Sequence, residues 1–448
     1  MKKFPVFISA LFLLSAQTAL SDVSVTVYNN DRALVKEVRE VTLKKDVQTI
    51  EFDEVAAKIE PASVLPKFLN GADKIKILEQ NFDYDLADSD KLLSKYIGKD
   101  IEIERYGSDK RAKLSGKLLS VSGGLVVQSA DRIVIRPQGE ISFAKMPEGL
   151  RLKPTLVWLV DSGFAGKNKM ELSYQTGGIN WQADYVLVTN RQDTEADIAG
   201  WVTVNNKSGA SYKNARLKLI AGDTNTARTA PAGIKKEAVM KFNSAKAEPS
   251  FQERSFFEYH MYELRRRSTI KDNEIKQIEF VKAARIPVKK VFAYDGTRGG
   301  KVTVNLEFKN SKENNLGIPL PKGKVRVSKR DGESMEFIGE DAIGHTAADA
   351  KLSLYVGNAF DITGERTQTN YKKESKSVEE SFKIILRNGK DTDVEVNIVE
   401  HMRGWHNWKI EQSSGKYVKK DSVTAEFPVT VPANGEKEMT YTVKYWWK

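Results

Sequence analysis

The chain of 448 residues contains no cysteine. Disulfides, thiolate metal sites, thiol nucleophiles and thiol redox chemistry are therefore excluded. So is a bacterial lipid anchor, which needs a cysteine to carry the lipid. The fold must hold by burial alone, and the length allows that. Histidine is nearly as scarce. His260, His345, His401 and His406 are the full set, and no two have the H-x-x-x-H spacing of a zinc protease helix. No serine elbow is present either: Val160 and Phe164 stand where a G-x-S-x-G frame around Ser162 needs glycines. The acidic run Asp83, Asp85, Asp88 and Asp90 fails as an EF-hand. Asp88 and Ser94 occupy the places of its glycine and glutamate, so the run reads as a solvated loop. No repeat of fixed period occurs, which argues against propellers and solenoids.

Long apolar runs are also missing after the first residues. The patches Thr155–Val160 and Ile384–Leu386 fall far short of the roughly 20 residues that cross a bilayer. The one apolar run of note is at the start. Lys2 and Lys3 precede an apolar stretch from Val6 to about Leu14, and Ala19 and Ser21 supply the small residues of a cleavage site before Asp22. That order predicts a signal peptide over 1–21. The expected product is exported, periplasmic or extracellular, without a membrane span and not a lipoprotein.

The formal charge is +11, from 71 Lys and Arg against 60 Asp and Glu. Loss of Lys2 and Lys3 with the leader gives 11 − 2 = +9. An excess of that size suits attraction to anionic envelope polymers, and equally a solvated basic surface. Nucleic acid is not expected, because no recognition motif accompanies the charge.

What fills the chain is alternation of period two. Ser24-Val25-Thr26-Val27-Tyr28 is typical, ending at the turn Asn29-Asn30-Asp31. The pattern predicts a mainly β protein: antiparallel β-sandwich domains, a small SH3-like or OB-like barrel segment and one long flexible loop. The expected divisions are an antiparallel β unit over 22–82 and a short helix plus small β-barrel over 83–150. A β-sandwich region follows over 151–221, a flexible linker or loop over 222–250, and a C-terminal β-sandwich region over 251–448. The helix is placed at Asp90 to Ile97, stopped by Gly98.

Four groups of residues invite a chemical reading. Glu340, Asp341 and His345 put two carboxylates and an imidazole within six residues, enough for acid–base work or a cation; the plainer reading is a polar loop. His401 and His406 flank a turn, where a metal would need carboxylates from elsewhere. Lys322, Lys324 and Arg326 alternate onto one strand face, with Lys329 and Arg330 beyond. Such a stripe suits phosphate or an acidic polymer, or is a solvated face, as Arg265-Arg266-Arg267 is. Trp405 and Trp408 border a turn and suit stacking on sugars or a partner, or packing in a core; Trp446-Trp447 is similar. No metal site and no cofactor are expected.

Several segments together carry a resemblance. They are Val25 to Ala33, Trp181-Gln182-Ala183-Asp184-Tyr185, Asn205 to Gly209, Leu217 to Asp223, Tyr259 to Tyr262, Leu320 to Arg326, and Phe337 to Thr346. In that order they resemble the mucoidy-inhibitor-like family of exported bacterial proteins, whose shared region is domain-of-unknown-function family 4139. The resemblance covers roughly 150–448, and 22–50 more loosely. It implies a bacterial envelope or extracellular β protein and brings no catalytic residues. Larger members carry a coiled coil that this chain lacks. Three functions remain open. The leading one is a non-enzymatic binding or scaffold module, with an unknown envelope protein or acidic polymer as partner. The others are a hydrolase built on Asp341 and His345, and an acidic-glycan binder using Trp405, Trp408 and Arg326.

Overall fold

Alternation is obeyed residue by residue. In the strand Asp22–Tyr28, Val23, Val25 and Val27 are buried and the residues between them are not. A computed structural model describes residues 22–106, 111–130, 132–222, 251–404 and 407–447. The expected leader, the 222–250 loop beyond residue 222, Trp405 and His406 lie outside the described residues.

The described chain is mainly β, in sandwich-like stacks of antiparallel and mixed sheets. Three sheets, joined by one end of a nine-stranded fourth, share one hydrophobic core that runs from Val23 to Leu354. The largest has eight strands. Within it Asp22–Tyr28 pairs antiparallel with Arg32–Leu43 and parallel with Tyr212–Ala221. The expected units 22–82 and 151–221 are therefore not separate: they interleave in one sheet. A three-stranded sheet, Asp46–Asp53, Thr155–Ser162 and Ile75–Asp83, covers part of this core. It carries Trp158, which is fully buried, edge-on to Phe52 with ring centroids 5.8 Å apart, and donates to Gln80 Oε1 at 2.9 Å. The third sheet has the order Glu274–Pro287, Glu195–Asn206, Ile179–Thr189, Gly323–Asp331, Ser334–Ile343.

Residues 84–154 are inserted between the paired strands Ile75–Asp83 and Thr155–Ser162. The two ends of the insert meet, with Ala87 N donating to Arg151 O and Arg151 N to Asp85 O, both at 2.9 Å. Its helix, Ser89–Lys95, starts where the Asp88 side chain accepts from Lys91 N, and Gly98 follows it at φ +83°. Five strands then surround a small core of Tyr96, Ile101, Ile103, Leu118 and Val127. The expected barrel does not close. Among the described residues the edge strands Arg132–Ile135 and Glu140–Ser142 do not pair, so the ladder is an open five-stranded sheet.

A nine-stranded sheet folds over the C-terminal core, from Tyr294 to Tyr445. The expected 251–448 region thus divides between two cores. Two strands serve both: in Lys301–Lys309, Leu306 and Phe308 belong to the first core and Val302 to the second, and in Lys351–Lys373, Leu352 and Leu354 belong to the first and Ile362 to the second. The strand Ser334–Ile343 crosses Lys351–Lys373 at Gly339. A β-carbon there would stand 2.2 Å from Val356 O. Gly339→Ala is expected to cost about 1–3 kcal/mol through forced separation of the strands. A urea midpoint equal to wild type would show that the crossing yields freely.

Candidate functional site

The hairpin formed by Gly323–Asp331 and Ser334–Ile343 holds most of the residues singled out in the sequence. Its inward residues Val325 and Val327 are buried, so Lys324 and Arg326 point out. Gly323 is required where the hairpin abuts Ile179–Thr189, since a β-carbon would lie 2.1 Å from Ala183 O. Arg326 stands opposite Glu340, and Val325 opposite Asp341. Neighbouring residues of a strand face opposite ways. Glu340 therefore joins the outer face and Asp341 the inner one.

On the outer face Lys324 Nζ lies 2.8 Å from Glu340 Oε1. Arg326 reaches Asp184 Oδ1 at 3.7 Å and Glu340 Oε2 at 4.0 Å. The Lys324 hydrogen bond holds the Glu340 carboxyl below its ordinary range. Asp184 is the member that the sequence reading left without a role. The alternation of Ile179–Thr189 around buried Ala183 and Tyr185 was the signal that placed it outward.

On the inner face Asp341 is engaged twice by backbone. Its Oδ1 accepts from Ala342 N and its Oδ2 from Tyr355 N, both at 2.8 Å. It fastens the hairpin to the strand Lys351–Lys373. His345 lies past the hairpin end, where its Nδ1 accepts from Lys322 N at 3.2 Å. Leu320 and Thr346 exchange backbone hydrogen bonds beside it at 2.8 and 2.9 Å. The two residues read as an acid–base pair hold different pieces of backbone, Asp341 within the hairpin and His345 past its end.

From Lys324 onward the basic stripe is matched by acid. Beyond Lys324 and Arg326, Lys329 pairs with Asp193 at 2.8 Å and Arg330 with Asp197 at 2.8 Å. Asp193 is 8% exposed and also takes Lys290, at 2.5 Å, from the nine-stranded sheet. Burial pushes its carboxyl up, but the two ammonium groups outweigh burial and hold it below the ordinary value near 4. A folded value below the unfolded one adds stability above the ordinary carboxylate range, and that stability is lost as pH falls through the folded value. The Tm difference between wild type and Asp193→Asn is thus expected to be largest near neutral pH and to shrink below about pH 4. Parallel Tm curves from pH 7 to pH 3 would contradict it.

Trp408 corrects an expectation. It is 8% exposed, belongs to the C-terminal core, and donates from Nε1 to Ser422 O at 2.7 Å. Lys419 lies over its ring at 4.4 Å. The ring is covered and has no face for a sugar. The described histidines are apart: His260 meets Glu253 at 2.7 Å and His401 meets Asp295 at 3.0 Å. Among the described residues no three His, Asp or Glu side chains gather as a metal site. An open groove of about 710 Å³ lies elsewhere, along Lys290, Phe292, Asp361, Lys390, Asp391 and Asp393, and includes none of the sequence candidates.

Residues 170–447 match the family described as a domain of unknown function (DUF4139). No curated protein matches the chain.

Proposed function

We propose, from the premise that this chain belongs to the DUF4139 family, that it is an exported bacterial envelope or secreted protein acting as a non-enzymatic binding or scaffold module. The observation that carries this reading is the engagement of Asp341 and His345. Asp341 ties backbone within the hairpin and His345 ties the backbone of Lys322 past its end, so the two serve different stretches of chain. The hydrolase reading needed those two to converge. The pairing of Lys324, Arg326, Lys329 and Arg330 with carboxylates likewise weakens the acidic-polymer reading. Rigid sheets with open outer faces suit recognition of a partner better than chemistry on a small molecule.

Export rests on the leader pattern over 1–21. N-terminal sequencing of the protein from its native cells should begin at Asp22; a sequence beginning at Met1 would refute export. Crosslinking in those cells, with mass spectrometry of what is captured, tests the binding role. A reproducible envelope partner or polymer is expected. A partnerless monomer would overturn the scaffold reading.

A further inference from the structure

We propose that the outer face of the third sheet, which runs from Glu274–Pro287 to Ser334–Ile343 and is centred on Trp201, is a platform for an uncharged glycan chain; this rests on the binding-module reading above. In the strand Glu195–Asn206 the residues Ile198, Val202 and Val204 are buried. Trp201 points the other way and is 39% exposed. It is not on an edge: Asp184 stands opposite it on one side and Glu279 on the other. A large apolar ring kept in solvent in the interior of a sheet is the unusual observation, because such rings normally find cover.

The surroundings select the ligand. Asp184 Oδ2 accepts from Thr203 Oγ1 at 3.0 Å and from Gln182 Nε2 at 3.2 Å. Gln277 Nε2 donates to Thr203 Oγ1 at 3.4 Å. All four lie on the same face as Trp201 by the sheet register. One flat ring beside fixed hydroxyl, amide and carboxylate groups complements a sugar, which offers a C–H face and a rim of hydroxyls. The centre of a protein interface is instead depleted of charge and rich in apolar contact.

Charge complementarity points to a neutral chain. Lys282, Lys324 and Arg326 on this face are balanced by Asp184, Glu279 and Glu340, three against three. Lys324 and Arg326 are already paired. At the far end Asp197 is matched by Arg330. An acidic polymer would have to break those pairs to engage Lys324 or Arg326, whereas hydroxyls need break none.

The test is native affinity electrophoresis of the protein purified from its own cells. The gels contain hydroxyethylcellulose, dextran or galactomannan, with alginate as the anionic comparison. At least one neutral polysaccharide should retard the wild type, and alginate should not. Trp201→Ala should weaken the retardation at least tenfold, and Trp201→Phe should keep most of it. Both variants should melt with wild type, since the ring lies outside the core. The proposal falls if no neutral polysaccharide retards the protein, if alginate retards it as strongly, or if Trp201→Ala migrates like wild type. Loss of a crosslinked protein partner in Trp201→Ala, without any polysaccharide effect, would overturn the glycan while leaving the binding module intact. Absence of both effects would remove the platform at Trp201, and a wild type that also captures no partner would remove the binding module as well.

Discussion

Arg366→Met is expected to lower stability by about 3–5 kcal/mol, because it strands a buried carboxylate. The Glu400 side chain is 1% exposed. Arg366 Nε lies 3.0 and 3.1 Å from its two oxygens, and Nη2 lies 2.9 Å from Oε2. The Tyr441 hydroxyl donates to the same carboxylate. Burial first, and then the Glu400 charge, push that hydroxyl's pKa far up. The guanidinium also lies 3.8 Å over the Phe382 ring. A lysine at 366 would keep the charge but lose the planar fork, so Arg366→Lys should recover only part of the loss. The cost lies in the uncompensated charge, so Arg366→Met with Glu400→Gln should unfold at a higher urea concentration than Arg366→Met alone. Equal midpoints for the single and double variants would show that lost packing against Phe382 dominates instead.

Trp158→Ala is expected to cost about 3–5 kcal/mol. The indole is wholly buried where the three-stranded sheet meets the large core. Its removal leaves a cavity beside Phe52 and breaks the hydrogen bond to the Gln80 amide oxygen, which belongs to an exposed residue and can turn to water. Trp158→Phe keeps most of the apolar volume and should cost less than half as much, since the surroundings need collapse only a little. Urea unfolding followed by circular dichroism separates these outcomes. An alanine variant within 1 kcal/mol of wild type, about one third of the lower bound, would mean the sheet closes over the gap.

The strands were legible because burial follows the side-chain period. Val23, Val25 and Val27 announce theirs without help, and the helix at Ser89–Lys95 is framed by Asp88 and Gly98. Partners were not legible. Nothing local in Asp22–Tyr28 says that it lies parallel to Tyr212–Ala221, because pairing is decided by the shared core. The strand Lys351–Lys373 was visible only at its start. Beyond Val356 it buries few residues, and its continuation is held by the ladder to Ser377–Asn388 rather than by alternation. The closed barrel was inferred from strand count, which does not specify whether the edges meet. At the site, alternation already separates Glu340 from Asp341, and reading them as one acidic cluster ignored it. The same rule exposes Trp201 between Ile198 and Val202, and buries Trp408 with Ile410. The Arg366–Glu400 pair left no trace, since its members sit on strands that are not sequence neighbours.

The insert over 84–154 is, topologically, the loop of a hairpin. Asp83 and Thr155 face each other across the ladder, and Asp85, Ala87 and Arg151 close the neck. Arg151 and Lys153, near the insert's end, pair with Glu51, Asp83 and Glu54 of the host, so the neck is tied to the host while the rest of the insert carries its own core. Each doubling of a loop adds only about 0.6 kcal/mol of closure entropy. A turn of about four residues in place of the insert is roughly four halvings of the loop, about 2.5 kcal/mol of closure entropy in the host's favour, set against the loss of Arg151's pairs with Glu51 and Asp83. The segment has the physical character of an exchangeable cassette, one that evolution or an engineer can swap without redesigning the sandwich that carries it.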